Sequence, residues 1–185
     1  MWLKLNSQYN PSKENTLIII EPGTYHIGRS LKTGHVLEVR LLSSPNVAEI
    51  LRNDLRENID HILQIYPMIG RIVFPTSKAL VPDIDGLHTE VYLTDRRQVI
   101  LDLTNPLEGK IVDVDSSWRT FLNDIWIKAP ISIPKGINTL ELGRPDQDYH
   151  SKPNRKLVGP DPILMLDYKP NKRFSLKHFR RYIGK

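Results

Sequence analysis

The sequence predicts a mainly β fold, two antiparallel sheets packed face to face, with one helix inserted and a basic segment at the end. Three observations carry this. Nine runs rich in β-branched residues, each four to nine residues long, are separated by clusters of Gly, Pro, Asn and Asp. The runs follow one another without the regularly alternating helices of a parallel βαβ sheet. Fourteen prolines and ten glycines in 185 residues call for many short elements joined by turns.

In order, the strands expected are Leu17–Ile20, His35–Leu42, Arg71–Phe74, Thr89–Thr94, Gln98–Thr104, Lys110–Val114, Ile125–Ile133, Asn138–Leu142 and Pro162–Tyr168. The helix is expected at 45–66, inside an insertion spanning about 31–82. Ser44 is a fitting N-cap and Pro45 suits the first helical position. Val47, Ile50, Leu51, Leu55, Ile59, Ile62, Leu63 and Tyr66 recur at helical spacing, and Pro67 ends the run. This apolar stripe needs a cover, because an isolated helix of such length is marginal in water. Either the sandwich or a partner supplies it, and Ile59 and Leu63 are the candidate contacts. Residues 144–161 are polar and turn-rich and read as a linking loop.

Charge is concentrated at one end. The formal net charge is +5, yet seven basic residues and no acid fall between Lys169 and Lys185. Nineteen basic and twenty-one acidic residues remain in 1–168, so the body carries a formal charge of −2. The basic extension, 162–185, also holds Phe174, Leu176, Phe179, Tyr182 and Ile183. Two readings stand. One is a terminal element docked on the body, with Ile163–Leu166 adding a strand or packing at the domain edge. The other is an arm that binds nucleic acid through 169–185 or an acidic partner through Phe174, Arg180 and Arg181.

Several function classes find no support. There is no cysteine, which removes disulfides, thiolate metal sites and a cysteine nucleophile. The phosphate-loop, dinucleotide, nucleophile-elbow and H-E-x-x-H patterns are missing, and no two histidines stand three to five apart. No cofactor, metal or catalysis is expected. Asp83/Asp85 and Asp113/Asp115 read as loop-edge carboxylates. No apolar run approaches a membrane span, and the polar residues reached by Asn6 do not fit a secretory leader.

Two stretches resemble a known family. Gly23-Thr-Tyr-His-Ile-Gly-Arg-Ser30, a turn leading into a strand that ends in Gly-Arg, is similar to the opening of a forkhead-associated (FHA) domain. Ser116-Ser-Trp-Arg-Thr-Phe-Leu-Asn-Asp124 resembles the S-S-N-G-T-F-V-N-G turn of that family. Leu87-His-Thr-Glu-Val-Tyr-Leu93 looks like the strand that opens with the family's histidine, and Leu140-Glu-Leu-Gly143 like its closing strand. The likeness spans residues 1–143 once the insertion is set aside. The Met1-Trp2 start is also similar to the N-terminal FHA domains of nibrin-like DNA-repair subunits.

The resemblance implies an eleven-stranded β-sandwich that recognises phosphothreonine peptides through loops at one end. Arg29, followed by Ser30, matches the family's phosphate-contacting arginine. The phosphate-binding serine lies three residues before the histidine, and counting back from His88 gives Asp85, a carboxylate that would repel phosphate. Trp118 stands in place of the asparagine that holds the peptide backbone, and Arg119 in place of the next glycine. Ser30 and Thr120 read as residues making turn and strand hydrogen bonds. The expectation is a degenerate FHA domain without its phosphothreonine pocket, non-catalytic, bound to protein partners within a larger nuclear complex. The alternatives are a pocket kept by Arg29 and Arg119, nucleic-acid binding by the tail, and a cytoplasmic location.

Overall fold

The computed structural model describes residues 1–8, 15–29, 36–42, 65–73, 98–114, 119–144 and 163–171, with no side-chain description at Arg29, Gly143 and Arg144. Within them lie twelve strands: β1 (Trp2–Ser7), β2 (Thr16–Ile19), β3 (Thr24–Arg29), β4 (Val36–Leu42), β5 (Met68–Val73), β6 (Gln98–Asp102), β7 (Lys110–Asp113), β8 (Arg119–Leu122), β9 (Ile125–Trp126), β10 (Ile131–Ser132), β11 (Gly136–Arg144) and β12 (Ile163–Lys169). They form two six-stranded sheets, β2-β1-β12-β11-β8-β9 and β10-β7-β6-β3-β4-β5, and every pairing is antiparallel. The mainly β, sandwich-like architecture is therefore as expected.

Period-two alternation builds the core. Leu3 and Leu5 of β1, Leu164, Leu166 and Tyr168 of β12, and Leu140 and Leu142 of β11 point inward from the first sheet. Tyr25 and Ile27, Leu37 and Val39, and Val99 and Leu101 answer from the second. All are nearly inaccessible to solvent, and each such side chain is worth about 1.5–3 kcal/mol when fully buried. The sandwich is strapped along one side by Asn15, whose amide donates to the Val73 carbonyl (2.5 Å) and whose Oδ1 accepts from the Val73 N–H (2.7 Å). On the same side Gly70 lies against Leu17, where a Cβ would come within 2.7 Å of Leu17 Cδ1.

Several elements differ from the sequence reading, among them Arg119–Leu122, a strand where a turn was expected. Trp2–Ser7 is a strand although its short Leu-Lys-Leu alternation gave no such expectation. The single strand expected at Ile125–Ile133 is two, and they belong to different sheets. Pro130 has no N–H to give a ladder, so the chain leaves one sheet and crosses to the other there. The strand expected at Ile163–Leu166 forms, but β12 lies between β1 and β11 in the interior of its sheet rather than at an edge. Thr89–Thr94, nearly all of the 45–66 helix and the 144–161 loop lie outside the described residues, among which no helical element occurs.

Candidate functional site

The strand register gathers one end of the sandwich. β3 closes at Gly28-Arg29, where Gly28 pairs with Gln98 at the start of β6 and with Glu38 on β4. The Val114 N–H donates to the Gln98 carbonyl (3.1 Å), so β7 also finishes at this end. Five residues later Arg119 begins β8 in the other sheet. Arg29 and Arg119 thus stand at the ends of strands in opposite sheets. Ser30, Asp85, His88 and Trp118 lie outside the described residues, as do Ile59, Leu63, Phe174, Arg180 and Arg181.

Beneath the Gly-Arg end sits a polar pair far apart in sequence. His26 is buried, and its Nε2–H donates to Gln98 Oε1 at 2.9 Å, while Nδ1 has no partner. Burial holds the imidazole well below its ordinary pKa, at about 4; the Gln98 hydrogen bond and Glu38 work against this, and Arg40 adds to it. The ring is therefore neutral near pH 7. It also explains Gly28, two residues on along the same face of β3, because a Cβ there would lie 2.3 Å from His26 Cε1. Glycine lets the imidazole fold flat over the backbone just before Arg29.

Across the end, β8 and β9 form a tight hairpin. Asn123 and Asp124 both have positive φ, 50° and 64°, between the paired Leu122 and Ile125, which is the geometry of a two-residue type I′ turn. Asn123 is pinned from several directions. Its Nδ2 donates to Asn138 Oδ1 (2.8 Å), its Oδ1 accepts from the Thr139 N–H (2.8 Å), and its own N–H donates to the Thr139 carbonyl (2.8 Å). Asn138 in turn donates to the Pro134 and Gly136 carbonyls (2.7 and 3.0 Å). Thr120 is buried, but its hydroxyl makes no hydrogen bond. The strand contact comes from its carbonyl, which accepts from the Ile127 N–H (2.9 Å).

The hairpin presents Trp126, which sequence reasoning did not single out. The Arg119 guanidinium lies 4.4 Å from its ring centroid and the Lys128 ammonium 4.2 Å from it. Both cations are exposed, the indole is 38 % exposed, and Ile125 beside it is 63 % exposed. The signal was present in the sequence. A two-residue turn at Asn123-Asp124 puts Trp126 opposite Phe121 and brings Lys128 level with Arg119. Among the described residues no three His, Asp or Glu side chains come together as a metal set, and no helix is long and apolar enough to cross a membrane. In comparisons with protein-family models, curated proteins and solved structures, the chain matches none.

Proposed function

We propose that this chain is a non-catalytic protein-interaction module or assembly subunit, a degenerate FHA domain that has lost its phosphothreonine pocket and serves within a nuclear complex, on the likeness to DNA-repair subunits. The observation that carries the reading is the position of Arg119. Its guanidinium lies over the exposed Trp126 ring, which Lys128 also faces, an aromatic and cationic surface of the kind that contacts protein, where the family has a glycine. The two antiparallel six-stranded sheets support the family frame.

The register adds a second support. The strand beside β3 opens with Gln98, a buried side chain that braces His26. Three residues before Gln98 stands Asp95, and three before His88 stands Asp85. Whichever residue takes the place of the family's histidine, a carboxylate occupies the serine position. A phosphate dianion is repelled there in both registers.

The test is a phosphothreonine peptide library presented to the purified protein. No enrichment is expected, and Asp85→Ser with Trp118→Asn and Arg119→Gly should recover weak binding. Phosphate-dependent binding by the unmodified protein at about micromolar affinity would overturn the lost-pocket reading in favour of a pocket kept by Arg29 and Arg119.

The partner-facing residues proposed on the insertion and tail are Ile59, Leu63, Phe174, Arg180 and Arg181. Changing Ile59 and Leu63 to aspartate separates two roles for the helix. A soluble protein with unchanged melting temperature that no longer co-purifies with its partner marks an interface, whereas an insoluble product marks core. Titration of single-stranded and duplex nucleic acid at two salt concentrations tests the tail, since phosphate contacts made by Lys and Arg weaken steeply with salt.

A further inference from the structure

Over β3, β6 and β7 the second sheet is buried on both of its faces. Tyr25, Ile27, Val99 and Leu101 point into the sandwich, so the residues alternating with them, His26, Gln98 and Ile100, point away from the first sheet. Val112 pairs with Ile100, and Val114 follows on the same side. All five are buried, Ile100 to 1 % exposure, yet Ile100, Val112 and Val114 do not belong to the core between the sheets. Charged residues, Lys110, Asp102, Glu38, Arg40 and Arg71, surround this outer apolar patch by register. Every described strand belongs to one of the two sheets, so the cover is a segment of this chain outside the described residues.

We propose that this face is the docking surface of the chain's own insertion, with Leu51, Leu55 and Ile62 laid over Ile100 and Val112 as a third layer. Arg40 pairs with Met68, so the segment 43–67 leaves the sheet and rejoins it at one place. Its last residues are held on this face. Arg40, beside His26, donates from Nη1 to the Tyr66 carbonyl (2.9 Å), and the Leu41 N–H donates to the Pro67 carbonyl (3.1 Å). A guanidinium at that carbonyl suits the C-terminal end of a helix. A helix from Leu51 to Tyr66 is about 24 Å long. From β4 across β3 and β6 to β7 is three strand spacings, about 14 Å, well within its reach. Residues 43–50 can run outward in extended form over about 26 Å, so the helix is the returning limb. The other long segments fit less well. Pro75, Pro82 and Gly86 interrupt 74–97, 145–162 is polar, and 172–185 is strongly basic. Glu57 and Asp60 fall on the opposite side of the helix and face outward, with Ile59 and Leu63 at the margin of the covered stripe, where a partner can meet them.

The chain has no cysteine, so a single introduced thiol reports its own surroundings. In the full chain, Val112→Cys places one on the outer face and Val99→Cys one in the sandwich core, and each is timed against a maleimide. Both should react slowly. Adding Leu55→Asp with Ile62→Asp should speed the Val112→Cys thiol by about tenfold or more while the Val99→Cys thiol stays slow, because only the outer layer has opened. If that pair releases both thiols, the fold itself has been lost, and Leu55→Ala with Ile62→Ala is read instead by the same ratio of rates. A fast Val112→Cys thiol in the otherwise unmodified chain would overturn the proposal, since the face would then be open. So would a ratio that the alanine pair leaves unchanged, or release by Leu80→Asp in 74–97 but not by changes at Leu55 and Ile62. None of these outcomes bears on the lost pocket, which phosphothreonine binding alone decides.

Discussion

A chain ending at Asp161 is expected not to fold, whereas one ending at Asn171 should melt within a few degrees of the full protein. The reason is the place of β12. It separates β1 from β11, so its removal breaks two ladders at once and leaves two facing strand edges with no partner. It also strips Leu164, Leu166 and Tyr168, all almost wholly buried, from the middle of the core. A single side-chain truncation within it is already severe. Leu166→Ala, between Leu5 on β1 and Asn138 on β11, should cost about 2–5 kcal/mol. Urea titration of the point variant and circular dichroism of the truncations check both statements. A cooperative melt from the chain ending at Asp161 would remove β12 from the folding unit.

Acidification should weaken the protein through one buried imidazole. His26 has a pKa of about 4 when folded and about 6.5 when unfolded, so between those values the unfolded chain takes up a proton that the folded chain refuses. Stability from this group is therefore complete above about pH 6.5 and falls as pH drops toward 4, by up to about 1.4 kcal/mol per pH unit. From pH 7 to pH 5 the loss attributable to His26 is about 2 kcal/mol. Carboxylates contribute their own slope, so the comparison is with His26→Asn, which cannot titrate. Urea unfolding of both proteins at pH 7 and pH 5 should show the parent losing about 2 kcal/mol more than the variant. Equal losses would mean that the ring is solvated or already charged in the folded state.

The strands were legible because β-branched runs bounded by Gly, Pro and Asn report local conformation directly. Lys110–Asp113 and Gln98–Asp102 fall inside the expected runs for that reason. Ile125–Ile133 was misread because apolar content outweighed Pro130, the one residue able to divide it. What local pattern cannot carry is pairing. Nothing in Ile163–Lys169 says that its neighbours are Trp2–Ser7 and Gly136–Arg144, since that choice is settled by which sheet edges remain to be satisfied. The site shows the same division. Gly28-Arg29 and the Asn123 turn are local and were readable. The His26–Gln98 pair joins residues 72 positions apart and had no signature. Trp126 belongs to no motif, although the turn at Asn123-Asp124 determines that it faces Phe121.

The place of β12 has a further consequence, for synthesis. β1 leaves the ribosome about 160 residues before the strand it must pair with, and at ordinary elongation rates that interval is on the order of 10–30 s. For most of it only β2-β1 of the first sheet has been made, and toward its end β11-β8-β9 joins as a separate part, each with a raw edge bearing leucines meant for the interior. The contacts that join them are among the most distant in the chain, which slows closure once β12 emerges. A nascent protein built this way depends on being sheltered until β12 has been made. Its yield in a cell is set by that waiting period as well as by the depth of the folded minimum.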